Sequence, residues 1–334
     1  MKCLITGAGG FIGGRLAQRL IEMGHEIVTF QRGEYPHLND LGGTHYRGSL
    51  DHFDQLMAAF SDVDAVFHVA ALAAISGPKE DFERTNVIGT QNVIDACRKN
   101  GIERLIFTSS PSVVFSGGDQ NGIDESEPYP DHFLADYPRT KALAEGAVLS
   151  ANDEQLKTIA LRPHLVWGPG DRHLFPRIID RARNNKLKLV RRPGMKIDAC
   201  YIDNAIDAHI CALEKLDSNP ACRGKAYFIS NGEPIAPEDL IQQFLECEGL
   251  PLIRPTLPPA VARFAGWLIE SLYKTPFFNG EPPVTRFVVR QQSTSHWFDL
   301  SAAKRDLDWV PKVSTEEGMK HLRSSLRESE SVST

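Results

Sequence analysis

Thr6-Gly7-Ala8-Gly9-Gly10-Phe11-Ile12-Gly13-Gly14 holds five glycines within eight residues and follows directly on the apolar run Lys2–Thr6. The residues after it, 12–23, repeat their apolar positions with helical spacing. A strand, a glycine turn and a helix in that order leave few options. Glycine lets the backbone come close to a ligand where a Cβ would stand in the way. The N–H groups that open the next helix then point at whatever fills the turn, and they favour an anion such as a pyrophosphate. The G-x-G-x-x-G form would need glycine at 12, where Ile12 stands; Gly7, Gly10 and Gly13 fit G-x-x-G-x-x-G instead. A merely flexible turn is the competing reading, and the flanking strand and helix patterns weigh against it.

The same alternation continues through the first half of the chain. Strand-like runs at 26–30, 65–69, 104–109, 158–161 and 226–230 are interleaved with helix-like stretches at Phe53–Ala59 and 85–100. This pattern predicts an α/β fold, a Rossmann-type doubly wound parallel sheet, with a smaller, mixed C-terminal substrate lobe. Residues 1–167 and 196–232 are assigned to the dinucleotide-binding domain, and 168–195 and 233–334 to the substrate lobe. That second region is rich in proline, including Pro251, Pro255, Pro258, Pro259, Pro282 and Pro283. Only the tail from 324 to 334 has the look of disorder.

At the tip of the second strand an acid would hold the ribose hydroxyls of NAD, whereas an arginine accommodates the extra phosphate of NADP. Here the run is Val28-Thr29-Phe30-Gln31-Arg32, so NADP(H) is the expected cofactor, against the plainer reading of Arg32 as a solvated loop residue.

Composition narrows the partners. A formal charge of −6 and the lack of a basic face exclude nucleic acid. The six cysteines (Cys3, Cys97, Cys200, Cys211, Cys222, Cys247) form no C-x-x-C pair and read as reduced, mostly buried thiols. The chain opens on the glycine loop rather than on a secretory signal and has no apolar run long enough to span a bilayer, so a cytoplasmic location is expected. No metal-ligand spacing occurs among the histidines, and no metal is expected.

Tyr137 and Lys141 stand four apart on a helical stretch and share one face. An ammonium beside a phenol favours the phenolate, which brings proton exchange toward neutral pH. Ser109, Ser110 and Ser112 close the strand at 104–109, at the sheet edge where open α/β folds keep their ligands. A hydroxyl there can orient the same oxygen.

These residues fall in the order of a known family. Thr6-Gly7-x-x-Gly10-x-x-Gly13, His68-Val69-Ala70-Ala71, Asn86-Val87-Ile88-Gly89-Thr90, Thr108-Ser109-Ser110, Tyr137-x-x-x-Lys141 and Arg162-Pro163 before Trp167-Gly168-Pro169-Gly170 resemble the extended short-chain dehydrogenases/reductases over nearly the whole chain. The resemblance implies that Ser110 orients the substrate carbonyl and Tyr137 is the acid/base. It further implies that Lys141 lowers the Tyr137 pKa and holds the nicotinamide ribose, while Asn86 supports a proton-relay water. Ser112 is a second hydroxyl able to replace or assist Ser110. With the readings above, the expected cofactor contacts are Gly7, Gly10, Phe11, Ile12, Gly13, Arg32, Leu50, Ala70, Tyr137, Lys141 and Pro163. The family often has an aspartate in Gly-Asp-Leu after its third strand to hold adenine; Gly48-Ser49-Leu50 has serine there.

The stretches around Ser110, His164 and Trp297 look like the 3β-hydroxysteroid dehydrogenase branch. Within it they are most like the bacterial members that reduce 2-alkyl-3-oxoalkanoic acids in long-chain olefin biosynthesis. That resemblance implies an NADPH-dependent reductase of a hydrophobic carboxylic acid, a homodimer built on residues 84–100 and 137–150, and association with upstream enzymes. Steroid or sterol-4-carboxylate dehydrogenation is the nearest alternative. A nucleotide-sugar epimerase or dehydratase shares the glycine turn and the Tyr/Lys pair, and a cofactor-sensing protein without catalysis is a third option.

Other candidates have plainer readings. His68 reads first as a hydrogen-bonded core histidine. Substrate contacts are expected at Ser112, at His164 through its backbone, and at Arg172, which with His173 and Arg177 can meet a carboxylate or lie on the surface. Residues 259–274 place Val261, Phe264, Ala265, Leu268 and Leu272 on one helical face. That stripe reads first as core, otherwise as a substrate lid or a peripheral membrane or partner contact.

Overall fold

The computed structural model describes residues 1–74, 76–190, 192–252, 257–273 and 285–332. Pro255, Lys274, Pro282, Pro283 and the tail residues 333–334 lie outside them. Seven parallel strands form one sheet: β1 (Lys2–Thr6), β2 (Glu26–Gln31), β3 (Thr44–Arg47), β4 (Ala65–His68), β5 (Arg104–Thr108), β6 (Lys157–Pro163) and β7 (Lys225–Ile229). Their order is β7-β6-β5-β4-β1-β2-β3. From β1 the chain builds outward to β3 and then returns to lay β4 on the other side of β1. That reversal opens a crevice above the carboxyl ends of β1 and β4, where Thr6 pairs in register with His68.

The inner strands were readable because both faces are buried, so they run nearly continuously apolar. Helices α1 (Phe11–Glu22) and, later in the chain, α5 (Ile202–Ser218) cover one face; α2 (Gly89–Lys99) and α3 (Asp136–Ser150) cover the other. Edge strand β3, Thr-His-Tyr-Arg, is at most half-buried and carries no apolar run, so the pattern passed over it. The single helix expected over 85–100 instead starts as a short turn at Lys79–Phe82, passes through a π-helical turn at Glu83–Ile88 and becomes α2. Asn86 sits on the π turn, a feature that often marks functional sites.

In the C-terminal half, α4 (Leu174–Arg183), α6 (Pro237–Cys247) and α8 (Arg286–Gln292) contribute walls to an apolar space, and α7 (Pro259–Tyr273) packs on α8. Two expectations are corrected here. The tail is helical as far as Val332: α9 (Thr315–Val332) buries Met319 and Leu322, and Gly318 lets it lie against Trp167 and Tyr201. The apolar stripe of α7 faces outward, with Val261, Phe264, Trp267, Leu268 and Leu272 all exposed. Its inward face is made of small residues, Ala262 and Gly266. A Cβ at Gly266 would come 2.8 Å from Val289, so small size, not apolarity, decides which side meets α8. Among the described residues no helix is long and apolar enough to cross a membrane. All six cysteines are free thiols, four of them buried.

Candidate active site

The glycine turn is shaped by contacts no side chain would allow. Gly7 has φ +74°, and a Cβ on it would lie 2.8 Å from the Ala70 Cα. A Cβ on Gly13 would lie 2.4 Å from the Gly7 carbonyl oxygen. Helix α1 starts after Gly10 with no side-chain cap, so the N–H groups of its first turn are left for an acceptor from outside. The loop floors a cleft of about 450 Å³. Gly7, Gly10, Phe11, Ile12, Gly13, Arg32, Leu50 and Ala70 line one end, and Ser110, Tyr137, Lys141 and Pro163 the other. An elongated ligand with anionic groups near its middle fits this arrangement.

One feature of the cleft escaped the sequence reading. The Tyr35 ring lies over Gly9, where a Cβ would come within 2.2 Å of it, so aromatic packing as well as phosphate access explains that glycine. Ser49 stands where a carboxylate was looked for and lines the cleft. The nearby acid, Asp51, bonds Ser49 and pairs with Arg84 at 3.3 Å.

At the carboxyl ends of β1 and β4 a chain of hydrogen bonds has only one consistent direction. The Thr90 hydroxyl donates to the Asn86 carbonyl at 2.6 Å, so it must accept from His68 Nε2 at 2.9 Å. His68 Nδ1 therefore accepts from Thr6 at 2.7 Å, and Thr6 in turn accepts from the Ala70 N–H. Burial holds His68 neutral, with its pKa pushed down to about 3. It is the hydrogen-bonded core histidine expected.

Asn86 is placed differently from its expected role beside a relay water. Its side chain accepts from Leu72 N (2.8 Å) and donates to Leu72 O (3.2 Å) and to Thr140 Oγ1 (3.0 Å). Those bonds tie the 69–74 loop to α3, and Asn86 does not line the cleft.

Ser110 Oγ accepts from the Ser112 N–H at 3.2 Å and lies 2.9 Å from Ser112 Oγ. Ser112 is thus buried behind Ser110, outside the lining of either cavity. The fully buried Lys141 donates Nζ–H to Thr108 O at 2.7 Å and rests 3.9 Å from the centre of the Phe107 ring. Burial pushes its pKa down to about 7, against the favourable Glu145 carboxylate. Burial raises the Tyr137 phenol, and the hydrogen bond with Ser110 pulls it back. The lysine's charge is directed at Thr108 and Phe107. One turn further along α3, Glu145 makes a buried two-point ion pair with Arg162 (2.6 and 3.0 Å) and accepts from Tyr129 (2.6 Å).

A second, apolar cavity of about 370 Å³ meets the first at Ala73, Tyr137 and Leu165. It is walled by Leu174 and Ile178 of α4, Leu240 and Phe244 of α6 and Phe287 of α8. His164 is among its lining residues, with Nδ1 held by Asp198 O at 2.7 Å. Arg172 is not there. It is exposed near His37, whereas Arg177, Arg181 and Lys188 reach the cavity and His173 lines the cofactor cleft.

Comparison with known proteins matches residues 4–258 to the 3-beta hydroxysteroid dehydrogenase/isomerase family. The 2-alkyl-3-oxoalkanoate reductase of Shewanella oneidensis is 46% identical over 96% of this chain and 85% of its own length. That of Stenotrophomonas maltophilia is 45% identical over 97% and 99%. The mouse decarboxylating sterol-4-alpha-carboxylate 3-dehydrogenase is 33% identical over 97% and 91%. Among solved structures, gox2253 superposes with a TM-score of 0.79 at 26% identity, covering 98% of both chains. MoeE5 in complex with UDP-glucuronic acid and NAD has a TM-score of 0.74 at 25% identity, covering 98% and 100%.

The position of Lys141 sets a stability slope. Its folded pKa of about 7 lies below the ordinary 10.5, so between those values the unfolded chain binds more protons than the folded one. Stability from this residue is therefore fully present above the unfolded value and is lost as pH falls toward 7. Urea unfolding of wild type and Lys141→Met at about pH 7.5 and 9.5 is expected to shift the difference in favour of wild type at the higher pH, by up to about 1.4 kcal/mol per pH unit. A difference that stays constant counts against a proton-poor buried lysine.

Proposed function

The chain belongs to the 3-beta hydroxysteroid dehydrogenase/isomerase family and is an oxidoreductase of alcohol and carbonyl groups, and we propose that it reduces the 3-keto group of a 2-alkyl-3-oxoalkanoic acid to the 3-hydroxy acid with NADPH. The observation that carries this reading is the position of Tyr137, which lines both the glycine-floored cleft and the apolar cavity. A carbonyl at that seam meets a proton donor on one side and has room for alkyl chains on the other. The names of the two relatives near 45% identity point the same way.

The glycine turn and the first turn of α1 would hold the pyrophosphate, Arg32 the 2′-phosphate, and Lys141 and Pro163 the nicotinamide riboside end. When bound, the cofactor supplies a hydride to the carbonyl carbon. Ser110 orients the carbonyl oxygen, and Tyr137 delivers the proton as negative charge develops there. A phenol raised by burial is fully protonated at neutral pH, which is the form a reductase needs. Lys141, one turn along α3 and poised near neutrality, is the group suited to reload it.

The sterol-4-carboxylate reading keeps support from the mouse relative. In the reductase reading the protein works in the cytoplasm, within long-chain olefin biosynthesis, as a homodimer through α2 and α3. Ile88 and Leu143 on that side are each about half exposed (51% and 50%), which favours an isologous contact.

NADPH oxidation is expected with a 2-alkyl-3-oxo acid and not with a 3-oxosteroid or a UDP-sugar, with Tyr137→Phe slowing turnover roughly 100-fold or more while sparing cofactor binding. Turnover of the steroid or the sugar alone overturns the substrate reading; near-normal turnover in Tyr137→Phe moves proton transfer elsewhere. NADP(H) is expected to bind more tightly than NAD(H), and Arg32→Ala to erase most of that preference in fluorescence titrations. Light scattering at micromolar concentration is expected to give twice the single-chain mass.

A further inference from the structure

His164 and His296 are two imidazoles set into an otherwise largely apolar cavity wall, with ring centres 5.9 Å apart. His296 is committed on both nitrogens: Nε2 to Thr294 Oγ1 (2.8 Å) and Gln291 O (3.1 Å), Nδ1 to Gln120 (3.3 Å). His164 is committed on one. Its Nδ1 faces the Asp198 carbonyl, which can only accept, so Nδ1 carries the proton and a neutral His164 has a bare acceptor at Nε2. The ring packs edge-on against Phe298 in a site almost closed to solvent, and burial pushes its pKa down to about 4.

Near its reacting carbon a 2-alkyl-3-oxo acid offers only acceptors, a ketone oxygen and a carboxylate. An acceptor nitrogen facing a carboxylate in a dry cavity is repulsive unless one proton is placed between them. We propose that His164 is the residue that recognises the substrate's carboxyl group, and that it does so by taking up one proton from solvent with the substrate, so that Nε2–H···O joins imidazole and carboxyl. The proposal rests on the substrate reading above. It balances simply: free protein and free carboxylate at neutral pH, plus one solvent proton, give the complex, which returns the proton when the acid leaves.

The other charged or titratable groups facing the cavity are Tyr137 of α3, Arg177 and Arg181 of α4, Lys188, Glu238 of α6 and His296. Asp119 and Arg192 act on His296 from behind, paired with each other. Asp198 meets His164 through its carbonyl, and its own carboxylate accepts from Ser230, Gly232 and Glu233. A carboxylate held by guanidinium or ammonium groups alone would bind without a proton. That difference is the test.

With NADP as co-substrate, the oxidation of 2-hexyl-3-hydroxydecanoic acid and of its methyl ester is followed from about pH 6 to about pH 8. The ratio of the two KM values cancels changes at Tyr137 and Lys141, which both substrates share. One-proton uptake makes KM of the acid rise about tenfold per pH unit relative to the ester. In His164→Gln, whose amide cannot take up a proton, the ratio is expected to be flat; in Arg181→Gln the slope persists. Wild-type kinetics alone can overturn the proposal, so it does not depend on the variants folding. A flat ratio in wild type, with the acid turned over, removes the proton-coupled role of His164 and leaves the reductase reading standing. A slope that survives in a folded His164→Gln assigns the proton elsewhere and also overturns it. If neither acid nor ester is oxidised, the substrate reading itself fails, and the proposal with it.

Discussion

The site depends on one buried run of hydrogen bonds across the reversal of strand order. Ala70 N–H, Thr6, His68, Thr90, the Asn86 backbone and side chain, and Thr140 are linked in sequence, and Thr140 Oγ1 lies 2.8 and 3.1 Å from the carbonyls of Asp136 and Tyr137. The run begins at the lip of the glycine turn and ends in the first turn of α3, which carries the phenol. The links from Thr6 through His68 to Thr90 can run in one direction only, and His68 must remain neutral to keep it. The π turn matters here: Asn86 lies on it and reaches both the Leu72 backbone and Thr140. The glycine turn and the helix that carries Tyr137 are thereby tied to each other through buried polar groups.

Dryness does the rest of the electrostatic tuning. Lys141 is enclosed by Thr108 O, the Phe107 ring and the helix that carries it, and its charged form is disfavoured by burial despite Glu145 one turn away. Glu145 is itself engaged in two-point pairing with Arg162 and accepts from Tyr129. Tyr137 is raised by the same enclosure. The same burial thus favours the protonated phenol and disfavours the charged lysine.

What could be read from the sequence was whatever physics writes locally. The glycine spacing, the buried strands and the Tyr137/Lys141 offset depend on neighbours within a few residues, and each stands where the spacing predicts. Three kinds of feature were not local. Strand β3 is recognisable only by pairing with β2, because Thr44, His45 and Tyr46 carry no apolar alternation. Helix α7 has a strong apolar stripe, yet packing chose its small face, since the approach to Val289 tolerates Gly266 and not a larger residue. Arg172 and Arg177 lie five apart across the start of α4, which turns one toward His37 and the other into the apolar cavity. Asn86 shows the same limit in another form: its type and place suited a role beside water, but its amide is filled by partners 14 and 54 residues away.

The two cavities solve opposite problems with different donors. A pyrophosphate brings permanent charge, and backbone N–H groups at an uncapped helix start, with Arg32 at the rim, meet it without any change of protonation. Alkyl chains need the reverse, a wall of Leu174, Ile178, Leu240 and Phe244 with as little fixed charge as possible near the reacting carbon. A guanidinium placed deep in that wall would have to be desolvated in every turnover, with or without a ligand. An imidazole does not impose that cost: neutral, it sits in the wall as a polarisable ring against Phe298, and it becomes a cation only when an acid arrives to share the proton. On the proposed reading, selectivity for a fatty acid over a neutral lipid of the same shape comes from a group that carries no charge until the substrate is in place.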